Sequence, residues 1–157
     1  MSESSQAEHQ MSRLNPALER LGVFIGEWRL EFTGFHADNS AVAHGHGTFH
    51  WLEDGAFLLH HAEVPDSPFP SETAVIGPDD KADTYCMLYF DSRGVSRIYQ
   101  MSLIEGVWRL WRDFPGFSQR FTGTFSDDGQ TITGSWEAST DGSNWELDFN
   151  VTYKKVK

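Results

Sequence analysis

The feature that most constrains this sequence is a succession of short strand-like segments, joined by turns, from Gly26 to the end of the chain. Glycine, aspartate and asparagine occupy joints such as Asp54-Gly55 and Ser139 to Asn144, and these residues accept the positive φ angles of tight hairpins. Short strands at close, regular spacing are typical of an antiparallel β-sandwich or β-barrel. The strand candidates are Glu27–His36, Ala43–Glu53, Ala56–Val64, Thr73–Gly77, Thr84–Phe90, Val95–Ile104, Val107–Asp113, Gln119–Ser126, Thr131–Ala138 and Trp145–Lys155.

We therefore expect an all-β fold, a single antiparallel up-and-down barrel of about ten strands with one short N-terminal helix. A chain of 157 residues fits one domain that needs neither disulfides nor a structural metal. Residues 1–12 read as a disordered tail and residues 13–157 as the barrel domain. The segment Asn15–Ile25 predicts the helix, capped by Asn15 and ended by Gly22, and this helix is expected to plug one end of the barrel.

Composition excludes several classes of function. The net charge of −11 and the lack of a basic cluster argue against nucleic acid as a partner. No apolar run reaches the roughly 18 residues of a membrane span, so no membrane association is expected. The single cysteine, Cys86, fits a reducing compartment, and the polar N-terminus shows no signal peptide, so the expected location is cytoplasmic.

Alternating side chains near the C-terminus indicate which residues face inward. From Trp145 to Tyr153 the odd positions are apolar and the even ones polar. Pairing Ser126 with Thr131 places Phe121, Phe125, Ile132 and Trp136 on one face, with Arg120 opposite Glu137 outside. The same register sets Gly123 against Gly134 inside. Paired glycines beside large aromatic residues predict open space, as in a barrel that lines a pocket.

The tripeptide Gly26-Glu27-Trp28, after a short helix and at the head of the first strand, resembles the Gly-x-Trp entry of the calycin superfamily. Ten strands are closer to fatty-acid-binding proteins and nitrobindin-like barrels than to eight-stranded lipocalins. Further similarity, to a bacterial calycin-like family without assigned function, lies in the segments Asp54-Gly55, Val75 to Asp80, Asp91 to Gly94 and Gln119 to Gly123. The resemblance implies a ligand-binding barrel and no particular activity.

Fatty-acid-binding proteins hold a ligand carboxylate with interior arginine and tyrosine side chains, and a comparable arrangement is predicted here. Pairing Phe90 with Val95, and Ile104 with Val107, places one set of side chains on a common inward face. That set includes Cys86, Leu88, Arg97, Tyr99 and Arg112. These arginines either clamp a ligand anion or lie at the barrel rim with their charges in water.

Six of the seven histidines lie between His36 and His61. Pairing Glu53 with Ala56 puts His46, His61 and Glu63 in an outward patch, which is either a weak metal site or a titrating surface. We expect no metal. His60 falls on the inward face, where it is either a hydrogen-bonded core residue or a ligand donor or general base.

Haem binding is disfavoured. Nitrobindin-like barrels carry their axial histidine late in the chain, yet no histidine follows His61, and Trp28 is followed by Arg29-Leu30-Glu31 instead of glycines. Nucleophile, phosphate-loop and dinucleotide motifs are absent, and Cys86 reads as a small buried hydrophobe. We expect no cofactor.

The leading interpretation is a barrel that binds a small, largely apolar ligand with a polar or anionic head. The alternatives are a small isomerase, cyclase or decarboxylase with His60 or Tyr99 as acid or base, a metal- or haem-binding barrel, and a filled scaffold that binds protein. Self-association into a homodimer stays open. The candidate binding residues are Arg97, Tyr99, Arg112, His60, Trp28, Phe49, Trp51, Phe121 and Trp136, with Phe32, Phe149 and Tyr153 as further lining.

Overall fold

The computed structural model describes residues 16–35, 40–81 and 83–157. The N-cap Asn15, the 1–12 tail and His36 therefore lie outside the described residues. A short helix α1, Pro16–Arg20, continues into a 3-10 turn, Leu21–Phe24. The strands are β1 (Gly26–Thr33), β2 (Ala43–Leu52), β3 (Phe57–Glu63), β4 (Glu72–Pro78), β5 (Thr84–Asp91), β6 (Ser96–Ile104), β7 (Val107–Arg112), β8 (Ser118–Phe125), β9 (Thr131–Ser139) and β10 (Glu146–Lys155).

The ten strands close into one antiparallel barrel in which every strand pairs with its sequence neighbours and β1 pairs with β10. The predicted fold class is confirmed. Closure leaves no free sheet edge, which removes the usual template for strand addition. No helix among the described residues is long and apolar enough to cross a membrane.

The helical segment closes one end of the barrel, as its apolar spacing predicts. Leu18, Leu21 and Phe24 are buried, and the Phe24 ring lies 5.0 Å from the Phe49 ring and 4.8 Å from the Trp108 ring. The Trp28 indole N–H donates to the Phe24 carbonyl oxygen at 2.8 Å. The plug is thus held by ring packing and by a hydrogen bond that satisfies the buried indole.

Three predicted hairpin registers are confirmed. Leu52 pairs with Phe57, Ile104 with Val107 and Phe125 with Ile132. At the Glu105-Gly106 turn both residues have positive φ, 51° and 76°, as a two-residue hairpin of the primed type requires. The expected outer ion pair of Arg120 with Glu137 forms at 2.9 Å.

The predicted register of β5 against β6 is wrong by one residue. Phe90 pairs with Ser96, not with Val95, because the loop has three residues, 92–94, and Asp91 N–H bonds the Val95 carbonyl. The Asp91 carboxylate accepts the Arg93 N–H, and Gly94 takes a φ of 82°, which together close the shorter loop. The shift turns Cys86 and Leu88 outward. Tyr85, Met87 and Tyr89 face inward instead.

The alternation expected from Trp145 to Tyr153 also breaks. The pairing of β10 with β9 shifts between Leu147 and Phe149, so Asp148 is an extra residue, a β-bulge. Before the bulge, Leu147 is 51% exposed and Trp145 lies under the Arg120 guanidinium on the outer surface. After it, Phe149, Val151 and Tyr153 face inward as predicted.

Candidate functional site

The barrel is filled beside the plug and hollow at its other end, where a cavity of about 380 Å³ opens. This size lies within the range of about 300–1,000 Å³ that is usual for small-molecule sites. Aromatic residues are the largest group in its wall, which favours apolar and planar ligands. The aromatic lining consists of Phe32, Phe35, Phe69, Tyr89, Tyr99, Trp108, Phe117, Phe121, Trp136, Phe149 and Tyr153.

The loop between β3 and β4, residues 64–71, contributes to the mouth of the cavity. Its Phe69 ring stacks on Phe32 at 4.5 Å and meets Phe149 edge-on at 4.9 Å. The Ser67 hydroxyl donates to the Val64 carbonyl oxygen at 2.6 Å and accepts the Phe69 N–H at 3.1 Å. The loop is therefore held by its own hydrogen bonds in a form that places Phe69 against the cavity wall.

Arg97, on β6, brings a positive charge to the cavity. Its guanidinium lies over the Phe117 ring, 5.3 Å from the centroid. Within the described residues it forms no ion pair with a carboxylate. Partial burial raises the pKa of Asp148, and the charge of Arg97 opposes this shift. Arg97 is thus a half-buried cation at the mouth, available to an anionic group.

A second arginine, Arg93, is already neutralised. Its guanidinium contacts Asp91 at 2.7 Å, and the Tyr89 hydroxyl donates to the same carboxylate at 2.8 Å. The Arg93 guanidinium, followed by the Tyr89 hydroxyl, holds the pKa of Asp91 well below its usual range. Burial raises the pKa of Tyr89, so the phenol stays protonated and donates. This cluster fixes one side of the mouth and leaves Arg97 as the available charge.

Tyr99 is occupied by a protein partner. Its hydroxyl donates to the Gln119 side-chain oxygen at 2.8 Å, and both residues are buried. Burial raises the pKa of Tyr99, and the nearby Arg97 opposes the shift. The phenol is therefore neutral and oriented, and the Gln119 amide is placed beside the cavity.

His60 and Glu72 form a polar pair in the wall. His60 Nδ1 lies 3.1 Å from the Thr48 carbonyl oxygen, Nε2 lies 3.2 Å from Glu72 Oε1, and the ring stacks on Phe49 at 4.0 Å. A carbonyl oxygen only accepts, so Nδ1 carries a proton. The second contact is a hydrogen bond only if another proton lies between Nε2 and Glu72. Both ring nitrogens of His60 thus contact protein oxygens, and the Glu72 carboxyl group lines the cavity beside them.

Two further polar groups lie among the rings. Trp108 Nε1 is buried without a hydrogen-bond partner in the described part of the chain. Tyr153 lines the cavity, and burial raises the pKa of its phenol. A buried indole N–H without a partner is unusual, since such groups cost about 1–3 kcal/mol. Both groups lie on the plug side of the cavity, where Trp108 packs 5.8 Å from Tyr153.

The structure brings together five of the candidate binding residues and separates the rest. Arg97, Tyr99, His60, Phe121 and Trp136 line the cavity. Trp28 and Phe49 are buried in the plug end. Trp51 is 36% exposed at the end of β2, and Arg112 lies over Phe114 instead of lining the cavity. Trp51 and Arg112 lie at the ends of β2 and β7, where the strands extend past the core. A residue there can face inward in the strand alternation without lining the cavity.

The predicted open space at Gly123 and Gly134 is wrong. A Cβ atom on Gly134 would lie 2.5 Å from the Phe121 ring, and one on Gly123 would lie 2.8 Å from it. The two glycines thus seat the flat Phe121 ring against the backbone, and the space that they leave is filled.

The histidine patch lies on the outer surface, as its register predicts. His61 Nε2 and His46 Nε2 lie 3.2 and 3.8 Å from the Glu63 carboxylate, and His61 Nδ1 lies 3.1 Å from the Thr73 hydroxyl. No cluster of three or more metal-ligating side chains occurs among the described residues. In this arrangement Glu63 bridges two exposed imidazoles.

Sequence reasoning missed five polar lining residues, Glu72, Tyr89, Arg93, Gln119 and Asp148. Tyr89 was assigned outward by the one-residue register error, and Asp148 depends on the bulge. Glu72 precedes the expected start of its strand. The signal that could have found Tyr89 is the Asp91-x-Arg93-Gly94 turn, which is a three-residue loop signature.

Comparisons with known proteins concern the fold. No family model matches the chain, and no curated protein matches it. Among solved structures, the chain is similar to Rv2717c from M. tuberculosis, with a TM-score of 0.65 and 13% identity over 90% of this chain and 98% of that one. It is also similar to the S-type phycobiliprotein lyase CPES from Guillardia theta, with a TM-score of 0.59 and 9% identity over 95% and 97% of the two chains. These neighbours are calycin-like β-barrels.

Proposed function

We propose that this barrel binds a small, largely apolar ligand whose anionic head meets Arg97 at the mouth. The single observation that carries the proposal is Arg97, a cation that forms no ion pair within 4.0 Å among the described residues and that lies beside an aromatic cavity of about 380 Å³. A half-buried guanidinium is costly without a counter-charge, whereas a ligand carboxylate or sulfonate accepts two of its hydrogen bonds at once. The neighbour named as a phycobiliprotein lyase supports small-molecule handling by this kind of barrel.

Replacement of Arg97 by methionine should weaken the binding of an anionic probe and leave the affinity for its neutral analogue unchanged. The matched probes are 1-anilinonaphthalene-8-sulfonate and N-phenyl-1-naphthylamine, which differ by the sulfonate. Charge-assisted hydrogen bonds contribute about 1.5–3 kcal/mol, so we expect sulfonate binding to fall by about tenfold to a hundredfold. Energy transfer from Trp108 and Trp136, both in the cavity wall, measures both affinities.

The control is Arg109→Met, which removes an arginine from the outer face of β7. It should leave both probes unchanged. If Arg97→Met and Arg109→Met bind the sulfonate equally well, the head is not held by Arg97. If wild-type protein binds neither probe, the proposal that the cavity binds apolar ligands is wrong.

A second candidate function, proton transfer to or from the ligand, is favoured by the position of the Glu72 carboxyl group, which lines the cavity with one oxygen 3.2 Å from His60 Nε2. Both ring nitrogens of His60 have protein partners, so Glu72 is the group able to act as the base. In deuterated water the base would remove a proton from carbon beside the carbonyl of 2-tetralone, and the resulting enolate would take up deuterium. We expect wild-type protein to accelerate this exchange. The exchange rate, measured by proton NMR, should fall about a hundredfold in Glu72→Gln. No acceleration by wild-type protein would contradict proton transfer by Glu72.

A further inference from the structure

The outer surface of β4, β5 and β6 carries no charged side chain, although the chain has 12 basic and 23 acidic residues. Charged side chains on these strands, such as Glu72 and Arg97, face the cavity. We name this surface the neutral wall. Its outward positions are Thr73, Val75, Gly77, Thr84, Cys86, Leu88, Phe90, Ser96, Ile98, Gln100, Ser102 and Ile104.

Large apolar side chains lie side by side across the neutral wall. Val75 pairs with Leu88, and Leu88 pairs with Ile98. Leu88 is 40% exposed, Phe90 49% and Ile98 60%. Single exposed apolar residues are ordinary, but a contiguous patch of them is typical of an interaction surface.

The opposite side of the barrel is built differently. The outer face of β1 carries Glu27, Arg29 and Glu31, and β10 carries Lys154 beside Arg29. The ion pair of Arg120 with Glu137 lies on β8 and β9. The charged side chains of the outer surface are thus concentrated on β1 and β8 to β10, opposite the neutral wall.

We propose that the neutral wall is the contact surface between two copies of this chain. Each copy carries a net charge of −11, so two copies repel unless their charges stay apart. In a two-fold dimer a surface meets a second copy of itself, so a charge on it would lose its water in both copies and, near the axis, would face its own sign. A wall free of charge avoids that repulsion, and the charged strands then lie a barrel's width away, beyond the screening length of about 8 Å.

A heterologous partner fits this surface less well. A positively charged protein would be attracted to the acidic turns and to β1, not to the one side that offers no charge. Charged groups also mark the borders of the wall, since Glu63 lies on β3, Arg109 on β7 and Asp79 in the turn after β4. An apolar centre with a polar rim is the usual build of a protein interface.

The test is sedimentation equilibrium of the full chain and of Ile98→Lys. Wild-type protein should have twice the mass of one chain. Lysine at the most exposed apolar position of the wall, repeated by the two-fold axis, should raise the dimer dissociation constant at least about a hundredfold. The Ile98 side chain points outward, so the monomeric variant should still fold. Its thermal unfolding should remain a single cooperative transition.

The matched control is Thr133→Lys, which adds the same charge to an exposed position on β9, on the other side of the barrel. This variant should remain dimeric. A wild-type mass of one chain at about 100 μM, far above a micromolar dissociation constant, would overturn the proposal and leave the wall to another partner. Equal dimerisation of Ile98→Lys and Thr133→Lys would place any interface elsewhere and would also overturn it.

Discussion

Replacement of Phe24 by alanine should lower the free energy of unfolding by about 3–5 kcal/mol, the range for removal of a buried aromatic side chain. The Phe24 ring is fully buried and contacts the rings of Phe49, Trp108 and Phe125, the last at 5.3 Å. These rings belong to three different strands, so no single neighbour is free to fill the space. The measurement is urea denaturation followed by tryptophan fluorescence, with thermal melting as a second readout.

The same experiment shows what the plug contributes. Val23, one residue earlier in the same 3-10 turn, is 46% exposed, and Val23→Ala should change the free energy of unfolding by less than about 0.5 kcal/mol. A small loss for Phe24→Ala, similar to that of Val23→Ala, would mean that the barrel closes without its plug. In that case the hollow end would not be set by the position of the helix.

Replacement of Gly134 by valine should lower the free energy of unfolding by about 3 kcal/mol, at the upper end of the usual cost of overpacking. A Cβ atom there would lie 2.5 Å from Phe121 ring carbons, so the ring must move. The available space is the cavity, which Phe121 lines. We therefore expect a smaller cavity and weaker binding of N-phenyl-1-naphthylamine, measured in the same fluorescence assay.

Two further variants separate ring displacement from a general effect on β9. Thr133→Val places the same side chain at the neighbouring, outward position of β9 and should leave stability nearly unchanged. Phe121→Leu in the Gly134→Val background should recover part of the lost stability, because the shorter side chain avoids the new methyl groups. No recovery in the double variant would show that the collision is not with Phe121.

The β5–β6 hairpin explains why sequence reasoning found some site residues and missed others. A strand has a period of two, so a one-residue error in the loop exchanges the inner and outer faces of the strand. Tyr89 was missed for this reason, and Leu88 was placed inside although it belongs to the neutral wall. On β6 and β7 the two-residue turn Glu105-Gly106 allowed one register, and the inward direction of Arg97 and Tyr99 followed correctly.

Local sequence determined the strands and most hairpins, because turn residues and alternation act within a few positions of each other. Glu105-Gly106 and the Phe125–Ile132 pairing are examples in which neighbouring residues suffice. Only the tertiary structure decided where the barrel is hollow. The plug end is filled because Phe24 reaches Phe49 and Trp108, and Gly134 holds the ring of Phe121. The contacts of Arg97, His60 and Glu72 likewise join residues at least 12 positions apart, and no local pattern encodes which of these side chains meet.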